Sequence, residues 1–192
     1  MHFVAALDDV REMRGVLALF EGVATGAADG YARMADRPAA VLLHLGPGLG
    51  NGLANLHNAR KGHTPVVNIV GDHATYHKQY DAQLESDIET VARNVSTWIR
   101  TSASVEEVAA DAADAVAVAS GPPAQIATLI LPADVSWTEG ATPASPVAPA
   151  APAAPDPAAI AAIAAVLQGD EPAALFVGGR ACRADALVDA SR

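Results

Sequence analysis

The sequence predicts an α/β fold: a parallel sheet flanked by helices, followed by the start of a second α/β domain. Two observations carry that expectation. Short, nearly uninterrupted apolar runs such as Ala39–Leu43 and Pro65–Val70 alternate with longer Ala-rich stretches, and strands buried on both faces belong to parallel sheets whose crossovers are helices. The chain can also bury a core, since 51% of its 192 residues are hydrophobic and 18% are charged, far from a disordered composition.

In chain order, Val16–Leu19 is expected as a short buried strand and Gly22–Met34 as a helix whose Ala24, Ala27 and Ala28 allow close packing. Pro38 stops it, and Ala39–Leu45 is the second strand. The glycine segment Gly46-Pro47-Gly48-Leu49-Gly50-Asn51-Gly52 is expected as a loop, with helical spacing returning over Leu53–Arg60. Pro65–Val70 is the third strand, Ser86–Arg93 a short helix capped by Ser86 or Asp87, and Val95–Arg100 a fourth strand. Ser104–Ala119 has a cap, acids in its first turn and a long Ala/Val run, which define a helix. Gly121-Pro122-Pro123 ends it, and Ile126–Leu131 is the last strand before Pro132. Composition then shifts: Thr142–Pro157 is mostly Pro, Ala, Val and Ser, an extended linker. A helix over Ala158–Leu167 and a strand over Ala173–Val177 open the second domain. The expected division is 1–136, a linker at 137–157, and an unfinished domain at 158–192.

Charge and cysteine usage narrow the function. The net charge is 12 − 22 = −10, which argues against a nucleic-acid partner and a cationic membrane-surface helix. The single Cys182 excludes an internal disulfide and fits a reducing, cytoplasmic compartment. No uncharged apolar run approaches the ~18 residues of a spanning helix, and the start at Met1–Asp9 has no signal-peptide pattern.

Glycine motifs exclude the commonest phosphate cradles. Counting from Gly46, Gly48 or Gly50, the third fingerprint position is Asn51, Leu53 or Asn55, so the dinucleotide pattern fails, and no G-x-x-x-x-G-K-[ST] occurs. A tight strand-to-helix turn explains the glycines equally well. Glu21 follows a predicted strand and opens a helix, at the sheet edge where ligands bind. A carboxylate between Phe20 and Gly22 is poorly solvated, which favours its neutral form and hydrogen bonding to an aromatic nitrogen. A solvated first-turn glutamate is the plainer alternative.

Read together, these segments resemble a known family. Glu21 through Arg33 (EGVATGAADGYAR) is similar to the E-x-x-A-x-x-A-x-x-G-Y-A-R segment of the thiamine-diphosphate (ThDP) enzymes of the acetolactate synthase and 2-oxo acid decarboxylase superfamily. Gly46-Pro47-Gly48-Leu49-Gly50-Asn51 resembles their G-P-G-x-x-N loop, Thr64–Gly71 their x-P-strand-G segment, and Leu129–Val135 their strand-P-x-D-V close. Four matches in order, over 19–135, are far more specific than any one.

The resemblance implies that 1–136 is the pyrimidine-binding domain, lacking its first strand, and that 158–192 begins the central domain. It implies that Glu21 hydrogen-bonds the aminopyrimidine ring of ThDP and shares a proton with it, while the cofactor supplies the electron sink for decarboxylating a 2-oxo acid. Gly46, Pro47, Gly48 and Asn51 would help hold the cofactor. His44, in an H-x-x-x-G-x-G-N context similar to that of benzoylformate decarboxylase, is a candidate proton carrier, because imidazole titrates near neutrality. A histidine packed under the loop is the alternative. Asp81-Ala82-Gln83-Leu84-Glu85 resembles the family's D-A-F-Q-E stretch, with Leu84 in place of glutamine, so Gln83 and Leu84 are candidate substrate contacts. His44 and Leu84 together put acetolactate formation itself in doubt and leave a related decarboxylase or carboligase, or a noncatalytic module of the same fold.

The family's G-D-G…N motif, which binds Mg²⁺ and diphosphate on a separate domain, has no counterpart here. This chain alone is therefore expected to be inactive, a piece of a longer protein that works as a homodimer or homotetramer on a small-molecule 2-oxo acid. His73 and His77, four residues apart, would bind a metal only in a helix with a third ligand. His57 and His63 are expected at the surface, and Cys182 as a small apolar residue.

Overall fold

The computed structural model describes residues 2–192. It divides into two compact units, the first ending at Ala150 and the second comprising Ala151–Arg192. In the first, four strands form one parallel sheet: β1 (Ala39–His44), β2 (Val66–Asp72), β3 (Trp98–Thr101) and β4 (Ile126–Pro132), in the order β1-β2-β4-β3. Helices α1 (His2–Ala6), α2 (Glu21–Ala35), α3 (Leu45–Lys61), α4 (Ile88–Ala92), α5 (Val108–Ser120) and α6 (Ala133–Trp137) surround it.

The two central strands explain the uninterrupted apolar runs. β2 and β4 are buried at nearly every position, and their side chains alternate between two cores. Val66, Val70, Ile126 and Ile130 face a large cluster with Leu49 and Leu56 of α3, Ala28 and Ala32 of α2, and Ile88 and Ala92 of α4. Val67, Ile69 and Ala127 face a smaller one with Ala115 and Ala119 of α5, joined by Phe3 and Trp98. β1 has one ladder neighbour and an alternating burial pattern, with Leu42 41% exposed. Its outward face is thus a half-covered edge.

Three sequence expectations fail in this frame. Val16–Leu19 is not a strand, and Val16, Leu17 and Leu19 are exposed. An apolar run becomes a strand only when a ladder takes up its N–H and C=O groups, and no described strand pairs with it. The same reason removes the strand expected over Ala173–Val177, where Phe176 stands fully in solvent. The third failure is the glycine loop, since residues 46–52 lie inside α3. The turn from β1 into α3 is made by extended His44 and by Leu45 at φ 58°, so no loop is needed.

Smaller shifts occur elsewhere. The helix expected from Ser104 starts at Val108, after a turn. Asp87 is the cap of α4, accepting from the Thr90 N–H at 3.0 Å. Residues 141–156 have no regular structure. In the second unit, α7 (Pro157–Leu167) starts with Asp156 accepting from the Ala158 N–H at 3.0 Å and proline at its first position. α8 (Ala184–Ala190) follows, no residue of the unit is buried, and Cys182 is exposed.

Candidate active site

The carboxyl ends of β1, β2 and β4 and the amino ends of α2 and α3 meet at one edge of the sheet. There the seam between α2 and α3 is built from small residues. Buried Gly22, Thr25, Ala28 and Ala32 form one stripe of α2, and Leu45, Gly48, Leu49, Gly52 and Leu56 form the facing stripe of α3. A methyl group on Gly52 would sit 2.8 Å from Thr25 Cγ2, and one on Gly26 would sit 3.1 Å from Asn55 Nδ2. The approach lets Thr25 Oγ1 donate to the Gly52 carbonyl at 3.1 Å and Asn55 Nδ2 to the Gly22 carbonyl at 2.6 Å. Glycine weakens a helix interior by about 1 kcal/mol relative to alanine, and here that cost is offset by interhelical contact.

This seam positions Glu21, the first residue of α2. Asn51 Nδ2 donates to Glu21 Oε2 at 3.2 Å. The other oxygen, Oε1, faces Gly48, whose absent side chain would lie 3.5 Å from it and 3.7 Å from His44 Cβ. Glu21, Asn51, Gly48 and His44 are therefore neighbours. The carboxylate is half-buried beside a half-exposed Phe20, more open than its flanking residues suggested. Gly46 approaches the facing segment so closely that a methyl group there would overlap Ser86 Cβ at 2.2 Å. Pro47 lies in the first turn of α3, where a missing N–H breaks no helical hydrogen bond.

His44 ends β1 and lines a cavity of about 380 Å³ with Leu45, His73, Tyr76, His77, Leu84 and Trp137, among others. His44 and Leu84, far apart in sequence, thus share one wall. Gln83 is not among the cavity-lining residues; its backbone carbonyl lies 3.2 Å from His73 Nε2. Next to it, sharing Asp72, is a second cavity of about 580 Å³ whose lining includes Asp81, Glu85, Asp87, Glu89, Lys78 and Thr101.

Ion pairs order this second wall. The buried Asp72 carboxylate accepts from Lys78 Nζ at 2.6 Å and from the His73 N–H at 2.7 Å. Lys78 also pairs with Glu85 at 3.0 Å, leaving Glu85 Oε2 buried without a hydrogen-bond partner. Burial pushes the Lys78 ammonium down, but its bonds to Asp72 and Glu85 outweigh that and hold it above the usual lysine range. Burial likewise pushes the Asp134 carboxyl up, and two bonds from Thr75 (N–H at 3.0 Å, Oγ1 at 2.5 Å) outweigh it and hold it below the usual range.

Sequence reasoning missed Asp72, Lys78, Tyr76 and Trp137. Asp72 was findable, because it ends an apolar strand at the ligand-binding edge. His73 and His77 were noticed only as metal candidates.

A half-buried glutamate over a side-chain-free glycine, at the carboxyl edge of a parallel sheet, forms a ligand site of the kind such sheets carry. Residues 1–93 match the family described as thiamine pyrophosphate enzyme, N-terminal TPP binding domain. Over its full length the chain is 62% identical to a Mycobacterium tuberculosis protein named "Putative acetolactate synthase large subunit IlvX", covering 37% of it. It is 33% identical over 135 residues to benzoylformate decarboxylase of Pseudomonas aeruginosa, covering 70% of this chain and 25% of that one. Among solved structures, a Rhodococcus jostii thiamine diphosphate-dependent 4-hydroxybenzoylformate decarboxylase superposes with a TM-score of 0.75 at 25% identity, covering 86% of this chain and 32% of that one. The chain thus spans little more than a third, at most, of these relatives' lengths. The residues present fit the cofactor's pyrimidine ring: one glutamate oxygen is held by Asn51, and the other faces the space that Gly48 leaves open.

Proposed function

We propose that this chain belongs to a ThDP-dependent enzyme of acetolactate synthase type, a decarboxylase or carboligase acting on a 2-oxo acid. The placement of Glu21 supports this best, with Oε2 fixed by Asn51 and Oε1 directed to Gly48 beside His44. Bound there, ThDP supplies the electron sink for decarboxylation. Glu21 holds and exchanges a proton with the pyrimidine ring nitrogen. Asn51 fixes the carboxylate orientation, and Gly46, Pro47 and Gly48 keep the first turn of α3 slim enough for the ring to approach. His44 moves a proton at the substrate side. Mg²⁺ and the diphosphate are held by a separate domain, from further sequence or from a partner subunit in a homodimer or homotetramer, and the protein works in the cytoplasm.

A second substrate reading has its own support. His44 and Leu84 line the same cavity, which favours a decarboxylase similar to benzoylformate decarboxylase over acetolactate formation. Both readings are tested in the full-length protein. ThDP binding followed by circular dichroism, with cofactor C2 proton exchange followed by NMR, is expected for wild type, and exchange is lost in Glu21→Gln, which can hydrogen-bond but cannot exchange a proton. Unchanged exchange in Glu21→Gln overturns the assignment of Glu21. Relative kcat/KM for pyruvate and benzoylformate separates the two substrate readings.

A further inference from the structure

We propose that His77 binds the carboxylate of the 2-oxo acid substrate, a deepening that rests on the proposed 2-oxo acid chemistry. Any such substrate brings a carboxylate to this sheet edge, and the edge is hostile to it. Asp72, Asp81, Glu85, Asp87 and Glu89 line the larger cavity. Among the residues lining either cavity, Lys78 is the one lysine or arginine, and it is already committed to Asp72 and Glu85 at 2.6 and 3.0 Å. Two carboxylates already over-match its single positive charge, so it offers a further anion no net attraction. The smaller cavity shares Asp72, whose charge is held by Lys78, and adds three imidazoles.

Those three imidazoles are not equivalent. His73 is engaged through Nε2 with the Gln83 carbonyl, 3.2 Å away. His44 adjoins Gly48 and Glu21 and is assigned to proton movement. His77 is half-buried in the cavity wall, its ring 5.4 Å from that of His73 and 5.5 Å from that of Tyr80. These contacts fix the ring plane, while neither ring nitrogen has a hydrogen-bond partner among the described residues. An unpartnered imidazole N–H on a cavity-lining residue is a ready carboxylate donor. It also suits decarboxylation, because a permanent cation would stabilise the carboxylate that must be lost, and catalysis gains nothing from interactions stronger in the ground state than in the transition state. Leu84, Tyr76 and Trp137 line the same cavity and supply apolar surface for the remainder of the substrate.

The test is a titration of the full-length protein with pyruvate and with benzoylformate, following imidazole ¹H–¹⁵N resonances. His77 is expected to shift saturably with at least one of the two. His77→Phe keeps the ring contacts and deletes the nitrogens; it should weaken that binding roughly tenfold, the worth of a hydrogen bond to a charged group, and leave binding of the corresponding aldehyde unchanged. His77→Gln, which keeps an N–H donor, should restore most of the affinity. An unmoved His77 resonance at saturating ligand, or equal affinities in wild type and His77→Phe, overturns the proposal whether or not ThDP binds at Glu21. Loss of the ThDP response with an intact His77 shift leaves the carboxylate site standing and removes the cofactor reading alone.

Discussion

The two walls of the site are held by different physics. The α2–α3 wall is steric: glycines at 26, 46 and 52 admit Asn55, Ser86 and Thr25, and the hydrogen bonds between the helices are largely side chain to carbonyl. The 72–87 wall is electrostatic: Asp72, Lys78 and Glu85 form a charged bridge, and Asp134 ties down Thr75. The difference teaches where the site can tolerate change. Close packing fails abruptly when one methyl group is added, whereas ion pairs weaken gradually with salt and pH. The rigid wall carries the glutamate that must keep its geometry. The adjustable wall carries the side chains proposed to meet the substrate.

Breaking the steric wall should have the largest effect. Gly46→Ala places a methyl group into Ser86, and we expect a loss of about 2–3 kcal/mol in urea unfolding. Ser86→Gly in the same chain should return much of it, a coupling that a double-mutant cycle measures. Gly52→Ala, which meets Thr25 Cγ2 at 2.8 Å, should cost about 1–2 kcal/mol. Neither loss should change between low and high salt.

Next comes Lys78→Met. It strands the Asp72 carboxylate, whose side chain is 4% exposed, with the His73 N–H as its remaining hydrogen bond. Because Lys78 itself is 40% exposed, solvent screening trims the penalty to about 1–2 kcal/mol. This loss should shrink as salt rises, whereas the glycine losses stay constant, and equal salt dependence would erase the distinction between the walls. The raised Lys78 ammonium contributes stability that is complete below the unfolded lysine value of about 10.4 and lost only as pH rises through the still higher folded value. Its effect is therefore flat across neutral pH.

The smallest expected effect is at Thr75. Its two bonds hold the Asp134 carboxyl low, which stabilises the fold above the unfolded carboxylate value of about 3.9 and is lost as pH falls through the lower folded value. Thr75→Val should raise the midpoint of acid unfolding, followed by tryptophan fluorescence, by a few tenths of a pH unit. Wild type and variant should converge at more acidic pH.

The polar core adds a contrast within the fold. Asn68 Nδ2 donates to Thr128 Oγ1 at 3.2 Å, and Ser96 Oγ lies 2.5 Å from the same oxygen, all three residues buried among aliphatic side chains. A strand pattern of apolar runs does not reveal such a network, because each residue finds its partner on another strand or loop.

The sequence by itself determined the alternation of strands and helices over 39–132, the helix starts to within a residue or two near Gly22 and near a cap at Ser86 or Asp87, and the ordered motifs by which the chain resembles thiamine-dependent enzymes. These are local properties: period, capping chemistry and the spacing of residue types along one segment. Tertiary structure decided what depends on a neighbour. Val16–Leu19 and Ala173–Val177 have strand composition but no ladder. The glycines of 46–52 look like a loop and form a helix, because α2 supplies contacts that offset their poor propensity. Glu21 and Asn51, thirty residues apart, became one site, and His44 and Leu84 came to share a cavity with His73 and His77. Local sequence sets what each segment prefers, and only packing settles which preferences are met and which side chains face one another.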